Sequence, residues 1–168
     1  MKNNLKYQKF KLDGWGNTIE GIFLQESEKW ILTRHIYTDY MLDGYAIINK
    51  KHIKKTYKDR FKEKIMLSKI GEDYTIPFDL KIKSGKQIVS SFANENLLFQ
   101  IEEDDENYCF IGKSINITNR AFTINFLTPK IKWSDEMTFD FNDIRAFFFM
   151  NDYLNTLESN CKKKLPPR

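Results

Sequence analysis

The chain has 168 residues, of which 41% are hydrophobic, 15% aromatic and 30% charged, and its formal net charge is +4. That suits one ordinary domain or two very small ones with enough apolar matter for a core, and it excludes a largely disordered chain, a disulfide scaffold and a strongly basic tail protein. No apolar run approaches the ~20 residues of a membrane span, and the opening MKNNLKYQKFKLDG lacks the apolar core of a secretory signal, so the sequence reads as cytoplasmic with Cys109 and Cys161 as reduced thiols.

In chain order, residues 5–12 (LKYQKFKL) alternate apolar and polar, the period of a half-buried strand. The glycine-punctuated turn DGWGN leads to a second strand at 18–25, and the turn ESEK to a third at 30–37. Asp43-Gly44 opens a fourth at 45–49, and a short fifth follows at 52–57. Asp59 is placed to cap a helix over 59–69, with Phe61 and Ile65 spaced to share its apolar face. Gly71 stops that helix, the stretch IPFDLKI reads as extended, and Ser84 is placed to cap a short helix whose apolar face is Ile88, Val89 and Phe92. Strands are then expected at 97–103, 108–116, 121–127, 137–141 and 144–150. Asn151 or Asp152 caps a closing helix with Tyr153, Leu154 and Leu157 on one face.

The second series of strands echoes the first at an offset of 91 residues. Gly21 falls opposite Gly112, Ile31 opposite Phe122, Ile48 opposite Phe139, Ile53 opposite Ile144 and Tyr57 opposite Phe148. Leu42-Asp43-Gly44 falls opposite Trp133-Ser134-Asp135. A glycine inside a strand costs stability unless the strand bends sharply or another backbone approaches closely, and small barrels need such bends. The expected fold is therefore mainly β: two tandem five-stranded small barrels, each followed by a short helix. The expected boundaries are 1–69 for the first barrel and helix, 70–96 for a linker with a short helix, 97–160 for the second barrel and helix, and 161–168 for a mobile basic tail.

This order of strands resembles Sm-like and Src-homology-3-like small barrels. The stretch GIFLQESEKWILTRHIYTDYMLDGYAIINKKHIKK, with FFFMNDYLNTL in the second copy, resembles uncharacterised bacterial proteins carrying two such barrels in tandem. The resemblance implies no reaction, cofactor or catalytic residue. Its Sm-like side suggests RNA, but no pore-loop motif matches residue by residue.

Charge is uneven. Residues 1–66 carry 14 Lys and Arg against 8 Asp and Glu, while residues 97–160 carry 5 against 11. Lys50, Lys51, Lys54, Lys55, Lys58 and Arg60, with His52 and Tyr57 among them, read either as a polyanion-binding track or as an edge strand kept soluble by lysine. The run 102–106 (EEDDE) reads as a hairpin tip that meets the basic first copy or a basic partner. Cys109, in an apolar stretch, reads as core packing. His35 and His52 have no second ligand at metal spacing, no nucleophile motif is present, and neither a metal, a cofactor nor a catalytic residue is assigned. Trp15, Tyr37, Tyr40, Trp133, Phe147 and Phe149 are the candidate partner surface. The first functional expectation is a non-enzymatic module binding a protein partner, an accessory or immunity-type role being one version. RNA or single-stranded nucleic-acid binding through residues 50–64 is the alternative, and a hydrolase with an unrecognised site the weakest reading. Oligomeric state is left open.

Overall fold

The computed structural model describes residues 5–72 and 74–163. It is mainly β, with three helices and a single ten-stranded antiparallel sheet. The first five strands are β1 (Lys6–Leu12), β2 (Thr18–Glu26), β3 (Trp30–Thr38), β4 (Met41–Asn49) and β5 (Ile53–Tyr57), followed by α1 (Arg60–Ile70). A second helix, α2 (Gly85–Asn94), precedes β6 (Phe99–Glu102), β7 (Cys109–Ile117), β8 (Ala121–Leu127), β9 (Trp133–Asp140) and β10 (Ala146–Phe149), and α3 (Asp152–Lys163) follows. The strand order is β5-β1-β2-β3-β4-β10-β6-β7-β8-β9.

The offset of 91 governs strand pairing as well as sequence. Lys9 pairs with Tyr57 and Gln100 with Phe148; Gln8 pairs with Gly21 and Phe99 with Gly112. Ile31 pairs with Ile48 and Phe122 with Phe139. Both second strands bulge at the same place, between Phe23 and Gln25 in β2 and between Ser114 and Asn116 in β7. The next strand pair shifts register at equivalent positions too, between Arg34 and Ile36 and between Asn125 and Leu127.

Each half is curled. In the first, β4 and β5 stand at opposite ends of the five-strand order, which in a flat sheet is four spacings, about 19 Å. Only the 3₁₀ turn Lys50–His52 joins them, and its four steps span about 8 Å. The ends of β4 and β5 therefore come together, although they do not pair, and the sheet remains open.

The two halves meet where β4 pairs with β10, Ile47 opposite Phe147 and Ala46 opposite Phe148. Residues 44–49 of β4 and the whole of β10 are buried on both faces. Ala46, Ile48, Ala146 and Phe148 face one core, with Phe10, Leu12 and Ile31. Tyr45, Ile47, Phe147 and Phe149 face the other, with Phe99, Phe122 and Phe92 of α2. Strands buried on both sides read as unbroken apolar runs, and YAII and AFFF are such runs. Phe147 and Phe149 are fully buried and so do not form a partner surface. In a pleated strand, Phe147 and Phe149 point one way and Phe148 the other, and here each side has its own core.

The helices are equivalent as well. Met66 and Ile70 of α1 pack on Tyr7 and Ile36; Leu157 and Cys161 of α3 pack on Leu98 and Leu127. The expected α1 face is displaced by one position: Phe61 is 72% exposed, and Met66 and Ile70 are buried instead. Asp59 accepts a hydrogen bond from the Lys62 N–H, as its capping role requires, and Glu63 accepts one from the Tyr7 N–H, which turns the Met66 side of the helix onto the sheet. Tyr153 is likewise exposed rather than packed with Leu154 and Leu157. Ser84 caps α2 and Asn151 caps α3, each through its side-chain oxygen.

Strands β4 and β9 begin earlier than the sequence suggests, at Met41 and Trp133, because pairing resumes on the far side of the register shift. The stretch 76–82 forms no strand; Ile82 is buried and Ile76, Phe78 and Leu80 lean on the larger core. Helix α3 runs through Cys161 to Lys163, so part of the expected tail is helical, and residues 164–168 lie outside the described residues. No helix among the described residues is long and apolar enough to cross a membrane.

Candidate functional site

Two depressions flank the junction of the halves, and they differ in charge. The first is a cleft of about 740 Å³ where the turns after β2, β4, β7 and β9 meet the start of α2. Lys29, Lys50 and Lys51 come from the first half, Lys86 from α2 and Arg120 from the second half; among the described residues Glu28 is the only carboxylate on its walls. Lys50 is paired with Glu26 at 2.7 Å and Arg120 with Asp140 at 2.8 Å. Lys29, Lys51 and Lys86 are exposed and have no carboxylate partner among the described residues. The Lys86 ammonium donates to the Asn119 side chain at 2.7 Å, so it is held over the cleft mouth. The first turn of α2 adds the positive end of a helix dipole.

Backbone geometry builds this cleft. Asn49 accepts from the Lys51 N–H, and its amide donates to the Ile144 carbonyl across the junction at 3.0 Å. A His52 ring nitrogen lies 3.0 Å from the Asn142 carbonyl, a second tie between the halves. Burial holds the His52 imidazole below its ordinary value. A Cβ on Gly85 would sit 2.5 Å from the Phe141 ring, which is how α2 comes close enough to aim its first turn at the cleft.

The expected basic track is split by the fold. Lys50 and Lys51 line the cleft, Lys54 and Lys55 lie on the exposed edge strand β5, and Lys58 and Arg60 lie at the start of α1. Lys55 sits over the Tyr57 ring at 4.8 Å. The sequence missed Lys29, Lys86 and Arg120, which are distant in the chain and carry no local motif; the 91-residue offset, which puts Lys29 opposite Arg120, was the one available signal.

The second depression is a groove of about 1080 Å³ on the opposite flank of β10. Its walls carry Tyr37, Met41 and Tyr153, which are 69%, 56% and 49% exposed. Its floor includes Gln100, Glu102 and Phe148. Glu102 is buried; desolvation pushes its carboxyl up to about 7, and the Gln100 amide, donating at 2.5 Å, only partly opposes that. His35 is driven down to about 4 by burial, with its Nδ1 3.2 Å from the Asp43 carbonyl and its ring edge-on to Phe148.

Of the other expected surface residues, Tyr40 and Trp133 are exposed, but Trp133 lies on the second half and does not join Tyr37. Trp15 is 7% exposed and packs in the first core, so it is not surface; its Nε1 donates to the carbonyls of Glu103 and Asp104. The acidic run is a hairpin tip only over residues 103–106, Glu102 being a buried end of β6, and the tip docks on the first half: the Glu106 carboxylate accepts from the Gly16 and Asn17 N–H groups. Cys109 is exposed rather than part of the core, since it opens β7 beside that tip, at the end of the strand; both cysteines are free. No cluster of three metal-ligating side chains occurs among the described residues.

Compared with protein-family models, with curated proteins and with solved structures, the chain matches none.

Proposed function

We propose that the protein is a non-enzymatic module that binds single-stranded nucleic acid along its phosphate chain, through the cleft at the junction of its halves and the lysine edge beside it. We read its two curled five-strand units as incompletely closed small barrels of the Sm-like kind; the equal pairing registers support that reading. The observation that carries the function is the convergence of Lys29, Lys51 and Lys86 in one cleft, with no carboxylate partner among the described residues, from parts of the chain 57 positions apart. Clustered cations of this kind gain by releasing counterions from a polyanion. Lys54, Lys55 and Lys58 continue the positive strip away from the cleft, and Tyr57 offers a half-exposed ring for stacking a base. The protein-partner reading loses Trp15, Phe147 and Phe149, which are buried, and so the nucleic-acid reading stands first.

The test is fluorescence anisotropy of a labelled twelve-nucleotide oligouridylate between 50 and 200 mM salt. Neutralising three phosphates predicts a log–log slope of about −2. The double charge reversal Lys51→Glu with Lys86→Glu, at two exposed positions, is expected to weaken binding by tenfold or more. A flat salt dependence, or undiminished binding by the double variant, would sink the proposal.

A further inference from the structure

We propose that the groove walled by Tyr37, Met41 and Tyr153 and floored by Glu102 is the docking site for a cationic, apolar-flanked peptide segment of a partner protein. Three observations point to that chemistry. First, the groove is anionic in a lysine-rich chain: no lysine among the described residues lines it, while Asp43, Glu102, Glu106 and Asp152 do. Second, its one guanidinium is already committed, because Arg34 donates to the Gly44 carbonyl at 2.5 Å and stacks over the Tyr45 ring at 5.0 Å. Third, its rim concentrates exposed apolar surface in Tyr37, Met41 and Tyr153. Tyrosine faces beside carboxylates attract a cationic head, and the methionine takes the stem or an apolar neighbour. A phosphate chain would meet four acids here and is excluded, so this surface is independent of the cationic cleft.

The groove's shape is held by the fold. Gly44 adopts φ +63°, and a Cβ there would sit 2.6 Å from the Asn151 nitrogen, so β4 and the start of α3 are pressed together along one wall. The Asp43 carboxylate accepts from the Asp152 N–H at 2.7 Å across that contact. At the far end the Glu106 carboxylate is tied to Gly16 and Asn17. Asp152 gives only its backbone N–H to that contact and keeps its own carboxylate exposed at the rim, while Glu102 is the acid at the floor, held to Gln100 on its own strand and adjacent to Cys109 on β7. The charged and titratable groups that share the groove with it are Arg34, His35, Tyr37, Asp43, Glu106, Cys109, Asp152 and Tyr153, and the Cys109 thiol, opposite Glu102 on β7, is itself pushed up by desolvation and by that carboxylate. A guanidinium arriving there draws the proton off Glu102, so binding releases a proton and strengthens as pH rises from 6 to 8.

The experiment is a ¹H–¹⁵N NMR titration of the full chain with the peptide acetyl-Leu-Arg-Tyr-Arg-Leu-amide and with its counterpart bearing Glu for Arg. Saturable shifts centred on Tyr37, Glu102 and Tyr153, at least tenfold weaker for the Glu peptide, are expected. The surface variant Tyr37→Ser with Tyr153→Ser is expected to lose binding by tenfold or more while keeping a dispersed spectrum and its affinity for oligouridylate. Glu102→Gln is expected to weaken binding and remove its pH dependence. Absence of saturable shifts at these residues overturns the proposal, as does equal binding of both peptides. Concentration-dependent broadening of the groove resonances without peptide would assign the surface to a second copy instead.

Discussion

Gly21 and Gly112, 91 positions apart, face the same obstacle. A Cβ on Gly21 would lie 2.9 Å from the Arg34 carbonyl oxygen, and a Cβ on Gly112 would collide with the carbonyl oxygen of Asn125, the residue equivalent to Arg34. Neither glycine has a positive φ, so what each supplies is room rather than conformational freedom. The strand that follows passes so close that a methyl group cannot stand between the two.

Gly21→Ala and Gly112→Ala are therefore expected to destabilise by similar amounts, about 1–3 kcal/mol each, because the opposing atoms include backbone that cannot swing aside. Chemical denaturation followed by tryptophan fluorescence measures both. If either substitution is neutral, the close approach is not a constraint on the curl.

The junction of the halves predicts an asymmetry between equivalent residues. Phe148 and Tyr57 occupy the same position in their repeats, but Phe148 is 8% exposed between the halves while Tyr57 is 41% exposed on a free edge. Phe148→Ala is expected to cost about 3–5 kcal/mol, through lost burial and the cavity left in the first core. Tyr57→Ala is expected to cost under about 1 kcal/mol, as for most surface changes. Equal losses at the two sites would show that β10 does not weld the halves.

Much of this architecture was legible because its signals are local. The strand at 121–127 and the α2 helix with its Ser84 cap follow from alternation and capping chemistry, and the repeat follows from glycines and apolar positions kept at one spacing. Phe147 and Phe149 were misplaced because a run of three aromatics fits an exposed patch as well as a strand buried on both faces; only the pairing of β10 with both β4 and β6 decides between them. Trp15 was misplaced because a glycine-flanked turn looks exposed until the 103–106 hairpin closes over it. The cleft could be seen only in part, since Lys86 and Arg120 reach it through tertiary folding.

The groove predicts opposing responses to pH. The carboxyl of Glu102 is raised in the folded chain to about 7, so the folded state holds a proton that the unfolded state has lost above about 4.5. Its contribution is present at low pH and falls by about 1.4 kcal/mol per pH unit from 4.5 up to 7. The imidazole of His35 is lowered to about 4 against an ordinary 6.5. Its contribution is present above 6.5 and is lost as pH falls through that interval toward 4. Between about pH 4.5 and 6.5 the two slopes have opposite sign and similar size, so they cancel. Denaturation of Glu102→Gln across this interval is expected to show stability rising relative to wild type by about 1.4 kcal/mol per unit, and His35→Asn the reverse. Parallel pH profiles for wild type and both variants would mean that neither group is buried as described.

The free edges predict the last outcome. At the junction, β10 presents Phe147, Phe148 and Phe149; at the equivalent edge, β5 presents Thr56 and Tyr57, and Lys58 follows its end. β5 pairs only with β1, so one row of its backbone groups lies open, and Lys54 and Lys55 are exposed along it. Charged lysines on an open edge oppose pairing with another chain, whereas an apolar edge invites it. The wild-type chain is expected to elute as a monomer from a sizing column, and Lys54→Val with Lys55→Val to associate in a concentration-dependent way without losing its fold. The same variant should also bind oligouridylate more weakly, because its two lysines belong to the proposed phosphate track. A variant that stays monomeric with unchanged nucleic-acid affinity would assign those lysines neither role.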